Sequence, residues 1–316
     1  MAAHNHLLPI SLLSLLFFFF LTSPPALACD PGDRAVLLKI KAGFLNPGKF
    51  TSWNESTNCC TWYGVKCNPH DDGGRVTSLD YRNYGAASDS LSGRLPDELG
   101  DLPFLSDLLL ANHTNVYGIL PLTLTRLTRL SFLYLPLNSL SGALPSFLTQ
   151  IRSLTFINLS YNKFSGLIPP EFSNFPALET LALQLAGNML SGNIPTELLA
   201  ANWATLDLSY NKLTGDPTAL FAANKATTYM DLSFNKLEFD MTGIDFPVKL
   251  ITLTLENNMI KGSIPAQINH LSDLLIFNVS SNQLCGIIPA GPVMDRFDNT
   301  HFFPNKCLCR SKVSCL

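Results

Sequence analysis

Leu159-Ser160-Tyr161-Asn162-Lys163-Phe164-Ser165-Gly166-Leu167-Ile168-Pro169 decides the fold of this 316-residue chain. An apolar pair spaced by two, Ile157 and Leu159, leads to Asn162, an apolar residue follows two positions on, a Gly four on and a Pro seven on. The Asn recurs as Asn138, Asn162, Asn188, Asn211, Asn235, Asn258 and Asn282, at intervals of 24, 26, 23, 24, 23 and 24 residues. A fixed period of this size marks a solenoid, in which no repeat buries its apolar face alone and stacked neighbours share one core.

Nine coils follow from the pattern, each centred on an apolar–x–apolar triplet: Leu79-Asp80-Tyr81, Leu108-Leu109-Leu110, Leu133-Tyr134-Leu135, Ile157-Asn158-Leu159, Leu183-Gln184-Leu185, Leu206-Asp207-Leu208, Met230-Asp231-Leu232, Leu253-Thr254-Leu255 and Phe277-Asn278-Val279. Period-2 alternation turns the outer two residues of each triplet into the core and the middle one outward. The expected fold is an α/β solenoid: a right-handed leucine-rich-repeat superhelix with a concave parallel sheet about 40 Å long. The repeated Asn serves the bends from inside, as Asn does in turns, and carries no chemistry.

The ends differ in kind from the middle. Residues 1–28 read as a secretory signal peptide, with an apolar run from Leu7 to Leu21 and a small-x-small site at Ala26-Leu27-Ala28. Residues 29–75 form an N-terminal cysteine-rich cap, 76–290 the repeats (with a tenth, partial coil allowed), and 291–316 a C-terminal cap. Asp30-Pro31 suits a helix start, and Val36, Leu37, Ile40 and Phe44 give that helix one apolar face over Trp53 and Trp62. All eight cysteines lie at the two ends, where open solenoid termini need sealing. We expect Cys29–Cys59, Cys60–Cys67, Cys285–Cys307 and Cys309–Cys315 rather than a zinc site. A net charge of −3 with 14% charged residues carries no nucleic-acid footprint. No second apolar run reaches spanning length, so the mature chain is expected to be secreted, without a membrane span.

The form Leu140-Ser141-Gly142-Ala143-Leu144-Pro145 resembles plant extracellular leucine-rich-repeat proteins. Three stretches narrow the resemblance to polygalacturonase-inhibiting proteins: Cys29-Asp30-Pro31 through Cys59-Cys60, the irregular coils Gly215-Asp216-Pro217…Asn224-Lys225 and Leu237-Glu238-Phe239-Asp240, and Leu284-Cys285-Gly286 with Cys307-Leu308-Cys309. The resemblance implies a non-enzymatic protein of the plant cell wall that needs no cofactor. Its concave sheet would bind microbial endo-polygalacturonases and limit pectin breakdown, with pectin itself a further partner. The positions it implies are Tyr134, Gln184, Asp207, Ser209, Asp231, Ser233, Thr254 and Glu256. The alternative is a soluble interaction or signalling module that binds a peptide, a receptor or a wall polymer. Leu178 to Asn188 carries two residues more than a standard coil, which predicts a bulge that re-aims the side chains near Gln184.

Other features weigh less. Asp207 and Asp231 should stand roughly 5 Å apart, close to the separation of about 5–5.5 Å in retaining glycosidases, but an open sheet offers no cleft to raise one pKa or exclude water. His70, His113, His270 and His301 read as ordinary surface residues. Lys163, Lys212 and Lys236 form a basic strip along one rim. Sequons occur at Asn54, Asn112, Asn158 and Asn278, the last two on the concave sheet.

Overall fold

The computed structural model describes residues 28–45, 50–68, 73–85, 90–176 and 182–310. The expected signal peptide and Cys315 lie outside them. Ten strands, from Val65–Cys67 to Ile276–Asn278, form one sheet in chain order. All neighbours run parallel except the first pair, where Val65–Cys67 lies antiparallel to Val76–Arg82 and closes the N-terminal edge. A seven-stranded sheet from Ser92–Arg94 to Lys236–Leu237 forms the adjoining side of the coils.

Both outer residues of every triplet are buried, from Leu79 and Tyr81 to Phe277 and Val279, and one apolar cluster runs from Leu37 to Leu308. The repeated Pro has a local cause. Pro96, Pro121, Pro145, Pro169, Pro195 and Pro265 each stand immediately before a short helix on the far side of a coil. A helix start leaves N–H groups unsatisfied, so a residue with none is tolerated there.

The repeated Asn binds coil to coil. Asn162 donates through Nδ2 to Leu135 O (2.9 Å) of the preceding coil and Leu159 O (3.1 Å) of its own, and its Oδ1 accepts from Leu140 N (3.0 Å). Asn188, Asn211, Asn235, Asn258 and Asn282 repeat this pattern. Asn305 repeats the same bonds after the ninth coil, to Val279 O and Phe302 O and from Leu284 N. The residue before each Asn turns the chain in the left-handed region: Leu137, Tyr161, Gly187, Tyr210, Phe234, Asn257 and Ser281 have φ between 52° and 64°. Strain at a non-Gly residue there is offset because its N–H stays paired with the next coil, as in Tyr161 N to Ala186 O at 2.6 Å.

The two extra residues of the fifth coil make no bulge in the sheet. Ala182–Gln184 pairs in register with Phe156–Asn158 on one side and Thr205–Asp207 on the other. Asn162 to Pro169 keeps the usual seven-residue spacing, so the excess lies in the stretch between Pro169 and Ala182, part of which is outside the described residues.

At the N-terminal end, Asp30 caps the helix Pro31–Gly43 by accepting from Asp33 N. Asp33 is itself buried, and holds Arg75 with two bonds (2.9 and 2.7 Å) and Val76 N with a third (2.8 Å). That ties the cap helix to the first long strand through charge-assisted bonds. Leu37, Ile40 and Phe44 bury the helix face above Trp53 and Trp62, whose rings stack 5.3 Å apart. Disulfides join Cys29 to Cys59, Cys60 to Cys67 and Cys285 to Cys307. The expected partner of Cys309 lies outside the described residues. The sulfurs of Cys29, Cys59 and Cys60 cluster within 4.8 Å, but all three are consumed in disulfides, which leaves no thiolate there for a metal.

The irregular coils have their own fastening. Phe221 packs against Phe239 and Phe246 at 5.7 and 6.0 Å. Lys225 sends Nζ to Leu199 O, Ala200 O and Ala201 O, at the C-terminal end of the short helix Thr196–Ala200. Burial pushes the Lys225 pKa down, while the carbonyls it caps favour its charge. Among the described residues no helix is long and apolar enough to cross a membrane.

Candidate partner-binding face

The outward residues of the parallel strands fall into rows because the register does not slip. Tyr134, Asn158, Gln184, Asp207, Asp231, Thr254 and Asn278 are paired neighbours in one row. A second row two residues upstream runs Phe132, Phe156, Ala182, Thr205, Tyr229, Thr252 and Ile276. Phe132 and Phe156 stack at 4.2 Å with 9° between planes, and Tyr134 lies 6.0 Å from Phe132. The concave face is therefore aromatic in its N-terminal half and acidic towards its centre.

Asp207 and Asp231 stand side by side, and each is held by the Ser two residues on. Ser209 donates its N–H (3.1 Å) and hydroxyl (2.7 Å) to Asp207 Oδ1. Ser233 does the same to Asp231 Oδ1, at 2.9 and 2.6 Å. Among the described residues, Oδ2 of each carboxylate accepts no hydrogen bond. The Asp-Leu-Ser phrase thus locks one oxygen and leaves the other for an incoming donor. Ser209 and Ser233, expected to meet a partner, are buried at 3% and 2% exposure and instead position these carboxylates.

Burial pushes the pKa of Asp207 up, and the Asp231 charge adds to this, against the pull of the Ser209 donors. Tyr229, half-buried in the upstream row, is pushed up to about 12, first by burial and then by the Asp207 and Asp231 charges. Both shifts mark a half-desolvated patch in which an added cation would be welcome.

The remaining expected positions fall on the same surface. Gln184 Oε1 accepts from Asn158 Nδ2 at 2.5 Å, and Glu256 Oε2 accepts from Asn278 Nδ2 at 2.5 Å. Thr254, between Asp231 and Asn278, has a buried hydroxyl without a hydrogen-bond partner. The triplet reading passed over Phe132, Phe156 and Tyr229, although period-2 parity already placed them outward. It also passed over the rim aromatics. Tyr210 and Phe234 stack at 4.1 Å, and the ring of Tyr161 lies over Gly187, where a Cβ would come within 2.4 Å of it. The half-exposed Tyr161 and Tyr210 border the acidic centre. Lys163, Lys212 and Lys236 are exposed and open strands of the adjoining sheet, away from the triplets.

Residues 30–68 match the leucine rich repeat N-terminal domain, and residues 153–175 the leucine rich repeat. Polygalacturonase inhibitor 2 of Arabidopsis thaliana is 40% identical to this chain, over 89% of it and 90% of the relative. The polygalacturonase inhibitor of Vitis vinifera is 38% identical over 94% of each. The chain belongs to the polygalacturonase-inhibitor family of leucine-rich-repeat proteins. A solved plant ice-binding protein is also similar, at 36% identity with a TM-score of 0.75, over 89% of this chain and 96% of that one. Proteins named for different ligands share this scaffold.

Two of the expected sequons differ from the rest. Asn54 is exposed, and the Ser56 hydroxyl donates to its Oδ1 at 2.6 Å. Asn112 is exposed too, with Nδ2 donating to Asn83 O. Asn158 is only 8% exposed, and its amide nitrogen is bound to Gln184. Asn278 spends its amide nitrogen on Glu256.

Proposed function

We propose that this protein is secreted to the plant cell wall and inhibits microbial endo-polygalacturonases by docking its concave face over them, without chemistry of its own. The observation that carries the reading is the Asp207–Asp231 pair, each with one oxygen fixed by serine and one unpaired, flanked by Tyr229 and the Phe132–Phe156 stack. A polygalacturonase must hold a polyanionic substrate, so its cleft carries basic groups. A preorganised acidic patch complements those groups, and such complementarity speeds encounter and fixes register. Flanking aromatic side chains supply large rigid contact area at low entropic cost. Family membership at about 40% identity over nine-tenths of the chain supports the same reading.

Hydrolysis fits the site poorly. Burial pushes Asp207 up, but both carboxylates lie on an open sheet, which among the described residues forms no cleft there to enclose a sugar and exclude water. The basic strip Lys163, Lys212 and Lys236 gives a second, weaker contact for anionic pectin. Glycans are expected on Asn54 and Asn112, and none on Asn158 in the folded protein; peptide mapping of secreted material reads this directly.

The test is titration of the mature protein into a panel of endo-polygalacturonases while reducing-sugar release is followed. Dose-dependent inhibition of at least one enzyme is expected. Inhibition of none would sink the proposal, and sugar release without added enzyme would point to a hydrolase.

A further inference from the structure

His113 stands where the later coils carry their bridging Asn. It lies three residues after Leu110, as Asn138 lies three after Leu135. Far from being a surface residue, it is fully buried. Its Nδ1 accepts from Leu91 N at 3.0 Å, and its Nε2 lies 2.7 Å from Tyr81 O. Leu91-Ser92-Gly93-Arg94-Leu95-Pro96 is the first coil's version of Leu140-Ser141-Gly142-Ala143-Leu144-Pro145, and Leu140 N is held by Asn162 Oδ1. The imidazole therefore does the amide's work between the first and second coils. The first coil is also the longest, 29 residues from Leu79 to Leu108.

These two hydrogen bonds fix the ring's protonation. A backbone N–H only donates and a backbone carbonyl only accepts, so Nδ1 must keep its lone pair and Nε2 must carry the hydrogen. An amide meets both demands at any pH. An imidazole meets them only while neutral, because a proton on Nδ1 faces Leu91 N–H donor to donor.

We propose that His113 makes the junction between the first and second coils an acid-sensitive seam, which protonation opens while the Asn-held junctions stay closed. Each coil of a solenoid contacts only its neighbours, so one junction can loosen without global unfolding. The N-terminal end of the concave face, with Lys66, Asp80 and Arg82, sits on the cap and first coil. Acid would shift that end and leave Asp207 and Asp231 in place.

Among the described residues, the titratable groups on the packed elements are otherwise engaged or outward. Asp80 and Arg82 pair with each other on Val76–Arg82, and the Tyr81 hydroxyl donates to Tyr63 O. Asp107, on the preceding strand of the same coil, accepts from Ser106. Arg94 and Tyr117 on the adjoining sheet are exposed, and Tyr134 faces outward on the third coil.

The sign follows from proton counting. The open junction binds one proton more than the closed one, so closure is complete above the ordinary histidine range and is lost as pH falls. The open population should grow about tenfold per pH unit below about 6.5. The measurement is amide hydrogen exchange on the mature protein from neutral to mildly acid pH, read as the ratio of Leu91 to Leu140. The ratio cancels the intrinsic pH dependence of exchange. In the unmodified protein it should rise about tenfold per unit below about 6.5, and in His113→Asn it should stay flat. A ratio independent of pH in the unmodified protein overturns the proposal, as does an equal rise in His113→Asn. Should that variant fail to fold, ring nitrogen shifts decide: a protonated imidazole beside a fully protected Leu91 amide overturns it.

Discussion

Asp207 and Asn211 lie four residues apart in one coil and do opposite work. Asn211 turns inward and satisfies Leu185 O, Leu208 O and Leu190 N across two coils. Asp207 turns outward, spends one oxygen on Ser209 and leaves the other unpaired. The inward position is constrained by backbone groups that are the same in every coil, so it repeats. The outward position meets nothing the scaffold supplies, so it varies from Tyr134 through Gln184 to Thr254. Damage to the first should cost stability, and damage to the second should cost recognition.

The sharpest way to break that division is Asn188→Ala. Asn188 is buried and bridges Leu159 O, Leu185 O and Phe164 N. Removal strands the Phe164 amide away from water and takes one of two side-chain donors from Leu159 O and Leu185 O, which keep those of Asn162 and Asn211, with an expected loss of about 3 kcal/mol. Chemical denaturation measures it, and inhibition per folded molecule should not change. A variant that keeps its stability but loses inhibition would reverse the assignment.

The counterpart is the double variant Asp207→Asn, Asp231→Asn. Each amide keeps an acceptor for its serine, so the denaturation midpoint should not fall, while charge complementarity goes. Inhibition constants should weaken by about 10- to 100-fold, most of all at low ionic strength. Unchanged inhibition would make these carboxylates bystanders.

Smaller still is Ser209→Ala with Ser233→Ala. The carboxylates stay but their Oδ1 atoms lose a donor each, so rotamer freedom returns. About 1 kcal/mol of preorganisation, or roughly fivefold in the inhibition constant, is expected to go. The change should fall on dissociation rather than association, since net charge is untouched. A fall in association rate instead would place the serines in the contact itself.

How far the sequence speaks follows from the same division. Period and parity placed every core pair from Leu79–Tyr81 to Phe277–Val279, because a solenoid repeats one local solution. Parity also turns Phe132, Phe156 and Tyr229 outward, two residues upstream of the triplet centres. Ser209 and Ser233 were misplaced for a physical reason. Just ahead of the left-handed turn at Tyr210 and Phe234, each serine bonds back to the aspartate two residues before it, so parity no longer reports its exposure. His113 was missed because the bridging role needs a donor and an acceptor, not an asparagine. The two extra residues before Asn188 could be counted but not located, since a change in repeat length does not by itself say whether the strand carries it, and Ala182–Gln184 stays in register.

The smallest effect is on pH dependence. Asp207 has its folded pKa raised above the ordinary 3.8 by burial. Tyr229 is raised from 10.0 to about 12. For an acid shifted upward the folded state holds its proton longer than the unfolded chain, so stability is greatest below the unfolded pKa and declines as pH rises through the folded one. Asp207 therefore costs stability on leaving the carboxylate range upward, and Tyr229 does so between 10.0 and about 12. Asp207→Asn should remove the first decline and Tyr229→Phe the second, both read as denaturation midpoints against pH. A bound polygalacturonase should reverse the sign for Asp207, because a cation placed against Oδ2 favours the charged form. Complex formation would then release protons near the carboxylate range, and a complex that takes protons up instead would mean the enzyme's basic groups land elsewhere on the face.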